Sequence, residues 1–299
     1  MARLATQLPA AASLAPGRGI ACMAVGVLII SVNDAVLKWL TADYPIGQVL
    51  FMRGLFALAP ILAIAWLGPG LAVLRVNSLR VQALRGGLAL SSTALFVTGL
   101  NVMPFADAVA MTLAGPLFLT ALAVPILGEP VGWRRWTAVG IGFIGVLIMV
   151  RPGGEAMRLV AIFPLAAALA GAVRDLITRR MSRSESSLAM LFWTTAIVTM
   201  GGLTTLPFGW VPPRIDDLGL LIATGFMLAS AHYLFIEAFR LAQAAVIAPF
   251  KYTNLVWAVI IGLIVWGDLP DAWVFTGAAL VVASGLYILH REAVRRRAR

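Results

Sequence analysis

Long apolar runs dominate the chain. Ten of them reach about the 20 residues that a helix needs to cross the hydrocarbon core of a bilayer. They lie near residues 19–40, 45–66, 79–100, 104–127, 134–150, 158–178, 187–207, 217–240, 244–266 and 272–290. The runs are continuous, whereas the strands of an outer-membrane barrel alternate over roughly ten residues. The pattern therefore predicts an all-α integral membrane protein with ten transmembrane helices.

Composition excludes other classes of protein. Of the 299 residues, 61% are apolar and 12% are charged, whereas a soluble domain carries roughly 25% charged residues. This excludes a soluble globular protein and a disordered one. The single cysteine, Cys22, excludes an internal disulfide and a cysteine-based metal site. We expect neither a metal nor a cofactor.

The basic residues predict the orientation in the membrane. If the N-terminus is cytoplasmic, most of the 23 Lys and Arg residues fall on the cytoplasmic side, and the outer side holds Lys38, Arg151, Arg158 and Arg214. Such a bias is the positive-inside pattern of a multi-pass protein. We therefore expect both termini in the cytoplasm and a bacterial inner (plasma) membrane location. The net charge of +10 then needs no nucleic-acid partner.

The two halves of the chain resemble each other. A shift of 139 residues places Gly86 on Gly225 and Gly128-Glu129 on Gly267-Asp268, and a shift of 141 places Asp34 on Asp175. We therefore predict two five-helix repeats, 18–151 and 152–290, between an N-terminal tail (1–17) and a basic C-terminal tail (291–299). Because five is odd, the repeats are inverted around a central cavity, an arrangement that favours alternating access.

Several motifs carry a family resemblance. They are LFMRG at 50–54, LRGG at 84–87, AVAMTLAGP at 108–116, GEP at 128–130 and the glycine-rich stretch at 140–145. With these motifs, residues 18–290 resemble the drug/metabolite transporter superfamily, specifically its EamA-type ten-helix members. The resemblance implies a secondary transporter with a cavity lined mainly by spans 1, 3, 4, 6, 8 and 9. Members export amino acids and other metabolites, and some import cofactors or nucleosides.

Charged residues inside spans are expensive and need a reason. Asp34 and Lys38 lie four residues apart on one helix face, and Asp175 and Arg179 repeat this arrangement. Each couple is either an intrahelical ion pair or a gate, and inverted symmetry places the two on opposite sides of the membrane. Two further couples are expected to pair or to gate: Arg53 with Asp107, and Glu237 with Lys251.

Uncharged polar and aromatic side chains at mid-depth are the predicted substrate site. They are Asn33, Ser92, Thr93, Thr112, His232, Tyr233, Tyr252, Asn254 and Trp257. Such a wall offers aromatic faces and hydrogen bonds without strong net charge, which suits a zwitterion or a neutral, partly apolar molecule. The alternative is that the Ser and Thr residues serve helix packing. His232 is also a candidate proton-linked group.

Gly115 and Pro116 predict a hinge in span 4, because proline removes a backbone hydrogen bond inside a helix. In the second half Leu255 takes the place of Pro116, so this cause is missing there.

The sequence favours a transporter of small molecules over other functions. No Walker A loop and no hydrolase motif is present. Our first expectation is export of amino acids, aromatic or otherwise neutral. The alternative is import of a cofactor-like metabolite such as S-adenosylmethionine or riboflavin. A polytopic membrane enzyme and a non-transporting scaffold are the rivals. Coupling to protons and the oligomeric state stay open.

Overall fold

The computed structural model describes residues 16–127, 133–150, 159–181, 184–241 and 248–297, and these are helical apart from turns and short loops. The α-helices are α1 (Pro16–Leu40), α2 (Ile46–Leu67), α3 (Leu79–Val102), α4 (Phe105–Thr112), α5 (Gly115–Leu127), α6 (Trp133–Val150), α7 (Ile162–Met181), α8 (Ser187–Leu203), α9 (Ile215–Leu241), α10 (Thr253–Trp266) and α11 (Ala272–Arg297). Short 3₁₀ turns occupy Leu71–Leu74, Leu206–Phe208 and Ala248–Tyr252.

Within the described residues, six helical segments are long and apolar enough to cross a membrane. They are Gly17–Leu40, Ile46–Leu67, Leu79–Val102, Phe105–Val124, Ser187–Phe208 and Ile215–Ala238. Three shorter apolar helices are Trp136–Val150, Phe250–Trp266 and Ala272–Ile288. Large apolar side chains such as Leu67 and Ile264 are exposed on the outside, where lipid tails are a suitable solvent.

Local chemistry sets the helix starts. Pro45 and Pro104 precede α2 and α4, where a missing backbone N–H costs nothing. The side chains of Ser78 and Ser186 cap α3 and α8 by accepting bonds from the backbone N–H groups of Val81 and Ala189. The predicted spans therefore begin close to where the helices do.

Two of the predicted spans are interrupted helices. The fourth consists of α4 and α5, separated by Leu113 and Ala114, and the ninth consists of the 3₁₀ turn at Ala248–Tyr252 followed by α10. Residues 128–132, 151–158 and 242–247, with the GEP motif and the boundary between the predicted repeats, lie outside the described residues, as do most of the N-terminal tail and the last two residues.

The helices pack in matched sets. The contact of α1 with α9 in one direction corresponds to the contact of α7 with α3 in the other. In the same way, the contact of α2 with α9 corresponds to that of α8 with α3, and the contact of α5 with α7 corresponds to that of α10 with α1. Two further contacts, α2 with α8 and α6 with α11, each join elements in corresponding places of the two halves. The main contacts between the two halves are therefore largely preserved when corresponding elements are exchanged.

The bundle has two ends. We call the end that carries the start of α1 and the end of α11 the terminal face, and the opposite end the distal face. On the distal face the Tyr44 hydroxyl donates to Asp217 at 2.6 Å, and Arg214 lies 2.5 Å from Asp43. The Tyr44 hydroxyl, then Asp43 and Asp217, raise the pKa of the Arg214 guanidinium. This network joins the α1–α2 loop to the start of α9.

Candidate functional site

A cavity of about 590 Å³ lies in the centre of the bundle. Its wall is built mainly from α1, α2, α3, α4, α5, α7, α8, α9, α10 and α11, which bring residues from both halves of the chain together. Its polar members are Asp34, Arg53, Ser92, Thr93, Thr112, Arg174, Asp175, Thr194, Thr195, His232, Lys251, Tyr252 and Asn254. A volume of roughly 300–1,000 Å³ is typical of small-molecule sites.

The cavity opens toward the terminal face. The side chains of Arg174 and Asp175, in the second half of α7, are 33% and 53% exposed, and Lys251 is exposed as well. Toward the distal face, Leu100 and Phe105 are fully buried. A ligand therefore enters from the terminal side in this conformation.

Six of the nine residues predicted for the substrate site line the cavity. They are Ser92, Thr93, Thr112, His232, Tyr252 and Asn254. Their role in binding stays a prediction, since their position alone does not test it.

The other three lie elsewhere, which corrects the predicted wall. Asn33 is fully buried and donates to the Thr224 carbonyl at 2.8 Å, so it joins α1 to α9. Tyr233 is 45% exposed, because one step along a helix turns a side chain by about 100° from its neighbour His232. Trp257 packs in an apolar cluster with Met23 and other residues near the start of α1.

The polar wall is held in place by internal hydrogen bonds. Ser92 Oγ donates to the Ala167 carbonyl at 2.8 Å and thereby joins α3 to α7. Asn254 Oδ1 accepts from Ser31 Oγ at 2.5 Å. His232 Nδ1 lies 2.9 Å from the Leu228 carbonyl, and because a carbonyl only accepts, a neutral ring carries its proton there. Nε2 of His232 is then an acceptor.

Charged side chains contribute more to the wall than the sequence indicated. Asp34, Arg53, Arg174, Asp175 and Lys251 all line the cavity. Arg174 donates through Nε and Nη2 to Asp175 Oδ1 at 2.9 and 2.7 Å. The expected wall without strong charge is therefore replaced by one that carries groups of both signs.

Two of the expected ion pairs have other partners. Arg53 acts electrostatically on Asp34 and not on Asp107, because Asp107 lies nearer the distal face and interacts with Lys38, Asp268 and Asp271. Lys38 turns away from Asp34, and its Nζ donates to the Met103 carbonyl at 2.7 Å.

The remaining two pairs stay predictions. The side chain of Arg179 lies outside the described residues, so its pairing with Asp175 is not observed. Lys251 and Glu237 both have interaction partners, but only Lys251 lines the cavity.

Several wall residues were missed from the sequence. Arg174 carried the same signal as the other intramembrane charges, a cation in an apolar helix, but was given no role. Thr194 and Thr195 lie on α8, outside the set of spans that the family resemblance implies. Phe96 and Gly171 had no signal beyond their apolar surroundings.

The predicted hinge residues lie on the wall at a helix break. Gly115 and Pro116 begin α5 and line the cavity. In the break before them, the Ala114 N–H donates to the carbonyl of Met111, three residues earlier, at 3.2 Å. In the second half the change from 3₁₀ turn to α10 falls at Tyr252 and Thr253, which the shift of 139 places on Leu113 and Ala114. Both halves thus interrupt the corresponding span at the same place, although only one has a proline there.

Comparison with known proteins identifies the family. The EamA-like transporter family matches residues 17–151 and, a second time, residues 158–289. The chain belongs to this family. The predicted superfamily is therefore confirmed, and this EamA-like protein is a multi-pass membrane transporter of the drug/metabolite type.

Similar proteins transport small metabolites. An S-adenosylmethionine uptake transporter of Rickettsia prowazekii is 28% identical over 275 residues, which cover 92% of this chain and 93% of the relative. A riboflavin transporter of Rhizobium johnstonii is 29% identical over 283 residues, with 93% of both chains covered. A pseudopaline exporter of Pseudomonas aeruginosa is 24% identical over 272 residues, covering 89% of this chain and 94% of the exporter.

These relatives bear on two of the expectations. A transporter rather than an enzyme is confirmed, since the family and its named members are transporters. Between the two substrate classes, they favour import of a cofactor-like metabolite over export of amino acids.

A solved crystal structure shares the fold of this EamA-like transporter. The two structures superpose with a TM-score of 0.66, covering 91% of this chain and 96% of the other at 18% identity.

Proposed function

We propose that this EamA-like transporter takes up a zwitterionic, nucleoside-bearing metabolite of the S-adenosylmethionine type. The observation that carries the proposal is the mixed charge of the cavity wall, with the carboxylates of Asp34 and Asp175 beside the cations Arg53, Arg174 and Lys251. The sequence similarity to S-adenosylmethionine uptake transporters supports it.

The chemistry of that metabolite matches the wall. S-adenosylmethionine carries an α-carboxylate, an α-ammonium and a sulfonium, which need partners of both signs in a partly dry site. The adenine and ribose need hydrogen-bonding groups and apolar contact. His232 and Asn254 supply the former, and Phe96 and Tyr252 supply rings.

Riboflavin is the second candidate, because a riboflavin transporter is as similar in sequence as the Rickettsia proteins. Its uncharged ring system and hydroxyl chain use the hydrogen-bonding residues but offer no charged group to Asp34 or Arg53, which also line the cavity. The mixed charge of the wall therefore favours the zwitterion.

The proposed mechanism is alternating access between two inverted five-helix repeats that together form ten spans. Three observations support it: the matched packing of the two halves, the two separate family matches and the helix breaks at corresponding positions. The bias of Lys and Arg supports cytoplasmic termini in a bacterial inner membrane. The cavity is then open to the cytoplasm.

Reconstituted protein provides the test. Purified transporter in liposomes is given radiolabelled S-adenosylmethionine, riboflavin or phenylalanine, with and without an imposed pH gradient. We expect saturable uptake of S-adenosylmethionine, and a response to the gradient that is lost in His232→Gln would indicate proton coupling. Uptake of riboflavin or phenylalanine alone would overturn the proposal in favour of that substrate.

Two tyrosines provide a matched control for the site. Tyr252 lines the cavity, whereas Tyr233 is exposed on the outer surface of α9. We expect Tyr252→Ala to reduce uptake of S-adenosylmethionine and Tyr233→Ala to leave it close to that of the unmodified protein. Equal effects of the two substitutions would contradict the position of the site.

A further inference from the structure

The two carboxylates of the cavity wall occupy equivalent sequence positions but different surroundings. A shift of 141 residues places Asp34 on Asp175, and both line the cavity. Asp175 is half exposed and accepts two hydrogen bonds from the guanidinium of Arg174. Asp175 is thus already neutralised by its neighbour in the chain.

Asp34 lacks such a partner. Within the described residues its carboxylate accepts no hydrogen bond and has no cation within 4 Å, and the charge that acts on it is that of Arg53. A carboxylate in a partly dry wall needs hydrogen bonds to offset its lost hydration. Its oxygens are therefore available to a cationic ligand.

The Arg53 side chain lies near Asp34 and keeps N–H donors available for a ligand. It is 7% exposed, and its Nη1 donates to Asn33 Oδ1 at 3.4 Å. The amide of Asn33 is itself anchored on the Thr224 carbonyl at 2.8 Å. Within the described residues this long bond is the one hydrogen bond of Arg53. Because a guanidinium has five N–H donors, donors remain for an anion in the cavity.

We propose that Asp34 and Arg53 together bind the amino-acid head of the substrate. The α-ammonium donates to the Asp34 carboxylate, and the α-carboxylate accepts from the Arg53 guanidinium. Both side chains line the same cavity, so one head group can reach the two of them from it. This assignment rests on the proposed function, and it makes the head, rather than the sulfonium, the group that sets specificity.

The experiment compares probes that differ in the head. Uptake of radiolabelled S-adenosylmethionine into liposomes is competed with S-adenosylhomocysteine, which keeps the amino-acid head but lacks the sulfonium charge. The second competitor is 5′-methylthioadenosine, which lacks the head. In the unmodified protein we expect S-adenosylhomocysteine to compete roughly tenfold or more better, the ratio typical of a hydrogen bond to a charged group.

Three variants locate the effect. Asp34→Asn keeps the shape of the side chain and should abolish the preference for the head, whereas Asp34→Glu should keep part of it. Asp175→Asn alters the absolute uptake rate but should keep the preference, because Asp175 already pairs with Arg174. Binding of 5′-methylthioadenosine, followed by thermal shift in detergent, should be the same in Asp34→Asn as in the unmodified protein.

The outcomes separate the two proposals. Absence of S-adenosylmethionine uptake in the unmodified protein overturns the proposed function and this inference with it. Uptake with an unchanged head preference in Asp34→Asn overturns the inference alone. Loss of 5′-methylthioadenosine binding in Asp34→Asn also overturns it, because the carboxylate would then support the cavity as a whole.

Discussion

The ammonium of Lys38 lies 5.1 Å from the centre of the Trp266 ring. Lys38 is near the end of α1 and Trp266 ends α10, so the contact joins the first half of the chain to the second at the distal face. The Lys38 ammonium also donates to the Met103 carbonyl between α3 and α4 at 2.7 Å. This one cation therefore ties three segments together on the side where the cavity is closed.

Removal of Lys38 should loosen the distal closure. A cation–ring contact contributes about 0.5–2 kcal/mol, so we expect Lys38→Ala to raise the distally open population roughly fivefold. Cys22 is first replaced by Ser, and Thr112→Cys is introduced as a probe in the cavity wall. Labelling of this cysteine by a membrane-impermeant thiol reagent applied from the distal side measures the population.

Two controls accompany this measurement. Lys38→Arg keeps a cation and hydrogen-bond donors and should label slowly. Trp266→Ala should label faster than Trp39→Ala, since Trp39 adjoins Lys38 but is 55% exposed. Slow labelling of Lys38→Ala would show that this contact does not hold the distal face closed.

The glycines at positions 145 and 277 allow α6 and α11 to pack backbone to backbone. A Cβ atom at Gly145 would lie 2.6 Å from the Gly277 carbonyl oxygen, and one at Gly277 would contact the Gly145 carbonyl oxygen closely. Gly277→Ala should therefore force the helices apart and destabilise the protein by about 1–3 kcal/mol. The melting temperature in detergent measures this.

Gly140 provides the matched control on α6. A Cβ atom there would meet nothing within 4 Å, so Gly140→Ala should leave the melting temperature unchanged or raise it slightly. An equal decrease in both variants would mean that glycine flexibility, rather than the close approach of α6 and α11, determines stability.

Hydropathy predicted the helices well because each apolar run is a local property of the chain. It could not predict which face of a helix lines the cavity, since that depends on the rotation of each helix against its neighbours. Tyr233 shows this: it adjoins His232 in sequence but faces outward. Arg53 shows the same limit for charges, because the charge that acts on it is that of Asp34 on another helix, whereas spacing alone paired Asp34 with Lys38.

Tyr252 owes its position in the cavity wall to a glycine on α11. A Cβ atom at Gly285 would overlap the Tyr252 hydroxyl, so Gly285→Ala should displace the ring and raise the KM for uptake. Removing the hydroxyl relieves the closest contact, so the double variant Gly285→Ala, Tyr252→Phe should recover part of the lost affinity. No recovery would indicate that the added methyl group acts through the backbone instead.

Pro116 gives span 4 its break and provides the last test. Without a backbone N–H it cannot bond to the Thr112 carbonyl, where α4 ends. Pro116→Ala supplies that donor and should favour a continuous helix by about 0.5–1.5 kcal/mol. If the break works as a hinge, the turnover rate should fall by roughly 2- to 10-fold while substrate affinity changes little.

Pro60 provides the control, since it lies inside α2, which continues past it, and does not line the cavity. Pro60→Ala should leave the turnover rate unchanged. Turnover and affinity are measured separately, by initial uptake rates in liposomes and by equilibrium binding in detergent. Equal losses of both in Pro116→Ala would assign Pro116 to the binding wall instead, because a hinge alters the rate of exchange between conformations and not the contacts within one of them.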